Sequence, residues 1–369
     1  MVKIRRFAPY ILTVFATVVI FLISGELFTR GYHYFVYKYG CGKDRVSIIQ
    51  ENRCLVVLDE KMGWRVIENY RFNSMKKDAA GRRYLAKVET NRYGFREFGA
   101  IYTTKKKILL IGDSFTNASQ ISNDKTYYGI IKNILPVEVF AYGGGGYGTL
   151  QEYMILDEYV DVIKPDIIIW QYCSNDFINN DYDLEANAVQ NNSMRRPCLD
   201  INGSIYYDIP IKNKTLAKLR EFINSHSQFL CAILGRMDTL MLILHSNKND
   251  MKSSSEGIIA SEGSKNAAFR RSEIITCRLM KMARDRCRNI RMLAFSSNMD
   301  SPCYETFKRI SRLNNIEFMD GIPQAVDRSE QGGVVTRAAD NGHWSESGHK
   351  IVAEEIIKYI KENNILSQD

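Results

Sequence analysis

The stretch AADNGHWSESGH, residues 338–349, sets Asp340 three residues before His343 and holds two of the chain's five histidines. An imidazole that is to take a proton from a hydroxyl needs an acceptor on its other nitrogen, and an aspartate within one turn supplies it. Alone, the pair reads as a helix cap beside a solvated or core histidine. It gains chemistry only if the chain also carries a nucleophile and donors for a developing oxyanion.

Three further stretches offer those parts. In ILLIGDSFTNAS, Gly112 permits a sharp turn and Ser114 leaves an apolar run where a helix should begin, so its hydroxyl is exposed beside backbone N–H groups. The alternative is a helix N-cap serine. In AYGGGGYGTLQE, four successive glycines leave a backbone whose N–H groups can approach a ligand oxygen closely. The alternatives are a flexible turn or a phosphate loop, and the second lacks the Gly-Lys-Ser/Thr that should follow. In WQYCSNDFINN, Asn175 offers an amide donor, or else an Asx turn.

The elements around these stretches place them. KKKILLIGDS, VEVFAYGGGG, PDIIIWQYCSND, IRMLAFSS and IEFMDG are short apolar runs closed by Gly, Pro or Asp, the mark of strands buried on both faces. Between them TYYGIIKNIL, TLQEYMILDEYVDVIK, FRRSEIITCRLMKMARDRC and YETFKRISRL show helical spacing, and ESGHKIVAEEIIKYIKENN closes the chain as an amphipathic helix. Alternation of this kind predicts a three-layer α/β/α sandwich around a mostly parallel, flavodoxin-like sheet of about five strands. In such a sheet ligands bind beyond the carboxyl ends of the strands, where the Ser114, glycine-run and Asn175 signals fall.

Residues 105–369 are therefore read as one catalytic domain, and 31–104 as an N-terminal extension of short strands packed on it. Residues 177–265 interrupt the alternation and are read as an insertion over the site. Within it NSHSQFLCAILGRMDTLMLILHS is helical and apolar, and NKNDMKSSSEGIIASEGSKN has the composition of a mobile loop. Residues 1–30 differ from the rest. Lys3, Arg5 and Arg6 precede about 19 uncharged residues, Phe7 to Gly25, the length of a bilayer crossing. The three cations hold the N-terminus in the cytoplasm, so the remainder is exported, periplasmic or extracellular. An uncleaved transmembrane anchor is the reading preferred; a cleaved signal peptide is the alternative.

The chain has 369 residues, 45% of them hydrophobic and 25% charged, an ordinary globular balance. The net charge of +8 is spread along the sequence rather than gathered in a tail, so nucleic acid is not expected as a partner. Export would permit disulfides among the eight cysteines. Cys41 and Cys54 could close a loop, and Cys277, Cys287 and Cys303 lie near one another, but spacing does not fix pairing. No C-x-x-C pair occurs, and neither a metal nor a cofactor is expected.

GDSF, GGGGYGT, SND and DNGH, in that order and at these strand ends, resemble the blocks of the SGNH (GDSL-like) hydrolase superfamily, from about Lys105 to the C-terminus. DEKMGWRVIENYRF and TNRYGFRE resemble the lead-in of membrane-anchored, envelope-associated members. The resemblance implies Ser114 as nucleophile, His343 as base and Asp340 as its orienting carboxylate. It implies an oxyanion hole from the Ser114 N–H, the Gly146 N–H and the Asn175 side chain. Ala141 stands where Asn often precedes the second block, and Cys173 where the third often has Gly; both bear on packing rather than on the catalytic groups. His349 is expected to pack at the start of the last helix, and His33, His226 and His245 to be structural.

That set suits acyl transfer from an ester: a serine esterase or deacylase, acting on an acylated carbohydrate or other small ester. With a sugar hydroxyl in place of water, the same site is an O-acyltransferase of an envelope polysaccharide. A non-catalytic glycan-binding or assembly protein is the third reading. Oligomeric state is not legible.

Overall fold

The computed structural model describes residues 2–39, 56–189, 191, 193–244 and 253–367. Cys41, Cys54 and His245 lie outside the described residues, as does the side chain of His33. The six other cysteines are free thiols.

Two antiparallel hairpins come first, β1 (Val56–Asp59) with β2 (Gly63–Val66) and β3 (Arg71–Lys77) with β4 (Arg83–Glu89). Then come β5 (Glu97–Phe98), β6 (Lys106–Gly112), β7 (Val137–Gly143) and β8 (Ile167–Tyr172). A third hairpin, β9 (Arg196–Leu199) with β10 (Ile205–Asp208), precedes β11 (Arg291–Ser296) and β12 (Glu317–Phe318). The central sheet has six strands in the order β12-β11-β8-β6-β7-β5. All its pairs are parallel except β5 on β7. The five parallel strands are the five apolar runs, and their order is the flavodoxin-like one, with the switch point between β6 and β8. The sixth strand was not expected. Glu97–Phe98 is two residues long, too short for a periodic signal, and it closes the β7 edge through Arg96 N–H to Ala141 O (3.0 Å).

Apolar residues fill these strands because both sheet faces are covered. In β6, Leu109 and Ile111 join one core and Ile108 and Leu110 the other, as the two-residue strand period demands. The first core includes residues of the helices Thr149–Ile163, Ala267–Arg286 and Cys303–Leu313; the second includes those of Tyr127–Ile134, Ile322–Gln331 and Glu346–Glu362. Side chains start several helices. Thr126 accepts from Gly129 N–H, Asn266 from Ala268 and Phe269 N–H, and Ser345 from Gly348 N–H.

The 177–265 segment is more ordered than its composition suggests. Its apolar part forms the helices Lys214–His226 and Gln228–Leu244. The β9–β10 hairpin is an addition: Leu199 packs on Leu150, Ile275 and Leu279, and buried Arg196 pairs with Glu185 (3.1 Å) and donates to Gln151 (2.7 Å). Of the stretch expected to be mobile, residues 247–252 lie outside the described residues, but Ser255–Glu262 is a helix. Burial of Ile259 and the Ser255 hydroxyl bonded to Leu184 O (2.7 Å) supply contacts that Ser-rich composition does not reveal.

The N-terminal helix runs from Val2 to Tyr39. Its 23-residue stretch Tyr10–Tyr32, unburied and with a mean hydropathy of 2.3 over its best 18-residue window, is long and apolar enough to cross a membrane. That span begins and ends later than the run read from sequence. The Glu26–Arg30 pair (2.7 Å, one turn apart) lies inside it.

Candidate active site

Ser114 follows β6 at the start of the short helix Ser114–Asn117. Asp113 caps that helix by accepting from Phe115 N–H (2.9 Å), and Gln171 Oε1 of β8 accepts from Asp113 N–H (3.2 Å) and Thr116 Oγ1 (2.9 Å). The turn is thus tied across the switch point of the sheet. Gly143 at the end of β7 makes room for it: a Cβ there would lie 2.1 Å from Asn117 N.

Ser114 Oγ lies 2.9 Å from His343 Nε2, and His343 Nδ1 lies 2.7 Å from Asp340 Oδ2. With the carboxylate as acceptor, Nδ1 carries the proton and Nε2 is left to accept from the serine. The other carboxylate oxygen, Asp340 Oδ1, accepts from the N–H groups of Gly342 and His343 (3.0 Å each). Phe115 flanks the imidazole (ring centroids 5.2 Å) and packs on buried Trp344 (4.6 Å). The structure therefore brings together three residues that span 226 positions of chain between Ser114 and Asp340.

The two remaining predicted donors lie at neighbouring strand ends. Gly146, φ +71°, follows β7, and Asn175 opens the helix after β8; both are half-buried, like Ser114. Asn175 Nδ2 donates to Asn179 Oδ1 (2.9 Å), and the side chain also bonds Asp113. Cys173 is buried, with Asn298 Nδ2 3.7 Å from its sulfur, and Ala141 is buried in β7. His349 is buried in the last helix, accepts from Tyr127 N–H at Nδ1 (3.2 Å) and is held neutral by burial, its pKa near about 3. His226 is exposed and bonds Phe222 O within its own helix.

Charge in the site follows from these contacts. Burial opposes a charged His343, but the hydrogen bond and negative charge of Asp340 outweigh it and raise the imidazole above its ordinary pKa. Burial likewise opposes an ionised Asp340, yet its bonds from His343 and two backbone N–H groups hold it well below the usual carboxylate range. Beneath the site, burial and mutual repulsion push Glu152 and Asp176 upward, and burial pushes Asp113 upward too.

Three supporting residues have no signal of their own type in the sequence. Gln120 Nε2 donates to Asp340 Oδ2 (2.6 Å), the same oxygen that faces His343. Buried Arg96 donates to the carbonyls of Asn117, Ala118 (2.9 Å) and Ile121 (2.8 Å) and to Asn123 Oδ1 (2.8 Å), clamping the chain that leaves Ser114. Trp64 Nε1 donates to Gly145 O (3.0 Å), and Tyr147 OH to Trp64 O (2.7 Å), so the β1–β2 hairpin fixes the glycine run. The β3–β4 turn holds the other side: Ala79 N–H donates to Arg337 O (3.0 Å) and Ala339 N–H to Lys77 O (3.2 Å). Arg96 and Trp64 do fall in the lead-in stretches TNRYGFRE and DEKMGWRVIENYRF. A cavity of about 10 Å³ beside Ser114 is lined by Phe115, Ala118–Ile121, His343, Trp344 and His349. Among the described residues of the 177–265 insertion, none lines that cavity, and Asn179 accepts from the Asn175 amide.

Two expectations follow. Arg96→Leu strips the Ser114 exit of its donors and should cost about 3 kcal/mol or more in urea unfolding, from several charge-assisted bonds lost at once; a loss under about 1 kcal/mol would mean the clamp is dispensable. Gln120→Leu removes a donor that competes with the imidazole for Asp340. The carboxylate then favours the imidazolium more, and the acid limb of kcat/KM should move up by a few tenths of a pH unit, with about a twofold loss on that limb. A superimposable pH profile would remove Gln120 from the site.

No protein-family model matches the chain, and no curated protein matches it. Among solved structures it is similar to a member of the lipolytic protein G-D-S-L family from Veillonella parvula DSM 2008 (12% identity, TM-score 0.36, covering 69% of this chain and 98% of that one). It is also similar to the psychrotrophic esterase EstA from Pseudoalteromonas sp. (9%, 0.37, 70% and 97%). A third is a catalytic mutant of Axe2, an acetylxylan esterase from Geobacillus stearothermophilus (13%, 0.35, 69% and 94%).

Proposed function

We propose that the chain is a membrane-anchored serine esterase that cleaves acyl esters through an acyl-enzyme. The observation that carries this reading is the continuous relay from Ser114 Oγ through His343 to Asp340, at 2.9 and 2.7 Å. Ser114 Oγ attacks the ester carbonyl carbon as its proton passes to His343 Nε2. The oxyanion takes hydrogen bonds from the N–H groups of Ser114 and Gly146 and from the Asn175 amide. An amide has two N–H groups; Nδ2 of Asn175 donates to Asn179 and the side chain bonds Asp113, so it serves the oxyanion by exchanging one of these partners for the substrate oxygen. Collapse expels the alcohol, which takes the proton from His343. Water, activated by the same imidazole, then releases the acid and restores the serine.

The cationic N-terminus and apolar helix support a site on the exported side of the membrane, where an acylated envelope or extracellular glycan is the substrate class we favour. The test is labelling of the full-length protein by a fluorophosphonate, followed by turnover of short-chain aryl esters and acetylated glycans, with and without a glycan acceptor. Label on Ser114 and released acid support hydrolysis; acyl groups found on the acceptor support transfer; no label on folded protein sinks both. Asn175→Ala should lower turnover by roughly a hundredfold, the usual loss for one oxyanion donor. Unchanged turnover in that variant would remove Asn175 from the hole.

A further inference from the structure

The helix Gln228–Leu244 packs on the apolar N-terminal helix, and Lys214–His226 packs on Gln228–Leu244. Phe229 lies edge-on to Phe21 (centroids 5.6 Å) and fills the space beside Gly25, where a Cβ would come within 2.5 Å of its ring. Glu26 accepts from Ser227 Oγ (2.7 Å) and from the N–H groups of Gln228 and Phe229 (3.1 Å each), and Arg30 donates to His226 O (3.3 Å). The two helices are bound to each other by Arg220 and Asp238 (2.8 and 2.5 Å). This is a specific docking, shaped to one face of the N-terminal helix.

The docking level matters. Phe21 to Arg30 is the last part of the Tyr10–Tyr32 span, where the chain leaves the hydrocarbon on the side of the folded domain. The hairpin exposes apolar residues at helical spacing there: Leu216, Leu219 and Phe222 on one helix, Ile233, Met237 and Leu240 on the other. Neither helix is fit to cross. The first has 13 residues, about 20 Å against a core of about 30 Å; the second has 17 but carries Arg236 and Asp238. Short amphipathic helices held at the end of a span suit the interfacial layer.

We propose that the 214–244 hairpin lies in the interface of the bilayer that the N-terminal helix crosses, with its exposed apolar stripes among the lipid chains, and so seats the folded domain against the membrane. The proposal rests on the anchor reading above, and the occupant of the stripes is the bilayer because they continue the apolar surface of the span they dock on. It is tested on the full-length protein in phosphatidylcholine vesicles, using lipid brominated on its acyl chains as a quencher of tryptophan. The native Trp64, Trp170 and Trp344 are at most 1% exposed and give a constant background. Leu12→Trp reports the span, Leu219→Trp and Met237→Trp the hairpin, and Tyr102→Trp, on the exposed outside of the domain, the unquenched reference. Expected is quenching of both hairpin tryptophans at no less than about half that of Leu12→Trp, with Tyr102→Trp at background. Hairpin tryptophans at the Tyr102→Trp level, with Leu12→Trp quenched, would overturn the seating and leave the anchor standing. Leu12→Trp unquenched would overturn both.

Discussion

Ser114→Ala and His343→Ala should each lower ester turnover by about three or more orders of magnitude while the protein melts as a folded domain. The size comes from the chemistry: without Oγ there is no acyl-enzyme, and without the imidazole nothing accepts the serine proton. The survival of the fold comes from the packing. The turn at Ser114 is held by Asp113, Gln171 and Arg96 rather than by the hydroxyl. The turn at His343 is held by Ala338 N–H to His343 O (2.8 Å) and by buried Trp344, neither of which needs the ring. Because the two act as one unit, the double variant should be hardly slower than either single one. Steady-state hydrolysis with circular dichroism as the folding control reads both effects. A folded His343→Ala protein that keeps most of its activity would falsify the mechanism and leave the Asp340–His343 contact as a loop tie.

What the sequence disclosed, and what it withheld, divides along a physical line. The parallel strands were legible because a strand covered on both faces must be apolar throughout, and β8 buries all six of its residues. Asp340 and His343 were legible because the contact is made within one turn, so spacing carries it. Ser114 and Asn175 were legible through the strand-end rule, since each follows a buried run. Gln120 and Arg96 were not, because their roles are set by loops that meet only after folding: Gln120 reaches Asp340 across 220 positions. Nor was β9–β10, whose four-residue strands are stabilised by Arg196 and Leu199 against distant helices rather than by any alternation of their own. That the extension of residues 31–104 packs on the catalytic domain is read from sequence, but not that its hairpins hold both the glycine run and the Asp340 loop. Part of the scaffold for the carboxyl ends of the sheet thus comes from outside the strand-helix repeat.

Asp340→Asn should cost roughly a thousandfold in turnover, approaching the loss in His343→Ala, although it changes one atom. The reason is that the amide cannot choose its orientation. The N–H groups of Gly342 and His343 both donate to Oδ1, so the amide oxygen must stay there and its NH2 must fall where Oδ2 stood. That NH2 then meets His343 Nδ1, which turns acceptor, and the ring proton moves to Nε2, the atom that should accept from Ser114. Gln120 can flip to present its carbonyl to the new donor, which makes the wrong arrangement more comfortable. The same change moves the pH profile. In the native site Asp340 raises the imidazole above its ordinary value of about 6.5, and activity needs the neutral ring, so activity should fall as pH drops through a midpoint above that value. Without the carboxylate, burial and the charge of Arg337 disfavour the imidazolium and outweigh the charge of Asp113, so the acid midpoint should move downward. The deficit of the variant should therefore be largest above the native midpoint and shrink toward acid pH, where the native enzyme has already lost its base and the variant has not. The measurement is kcat/KM for a short-chain ester from about pH 4.5 to 9 on both proteins. An acid limb that stays in place, or a deficit constant across the range, would show that Asp340 does not set the charge of His343.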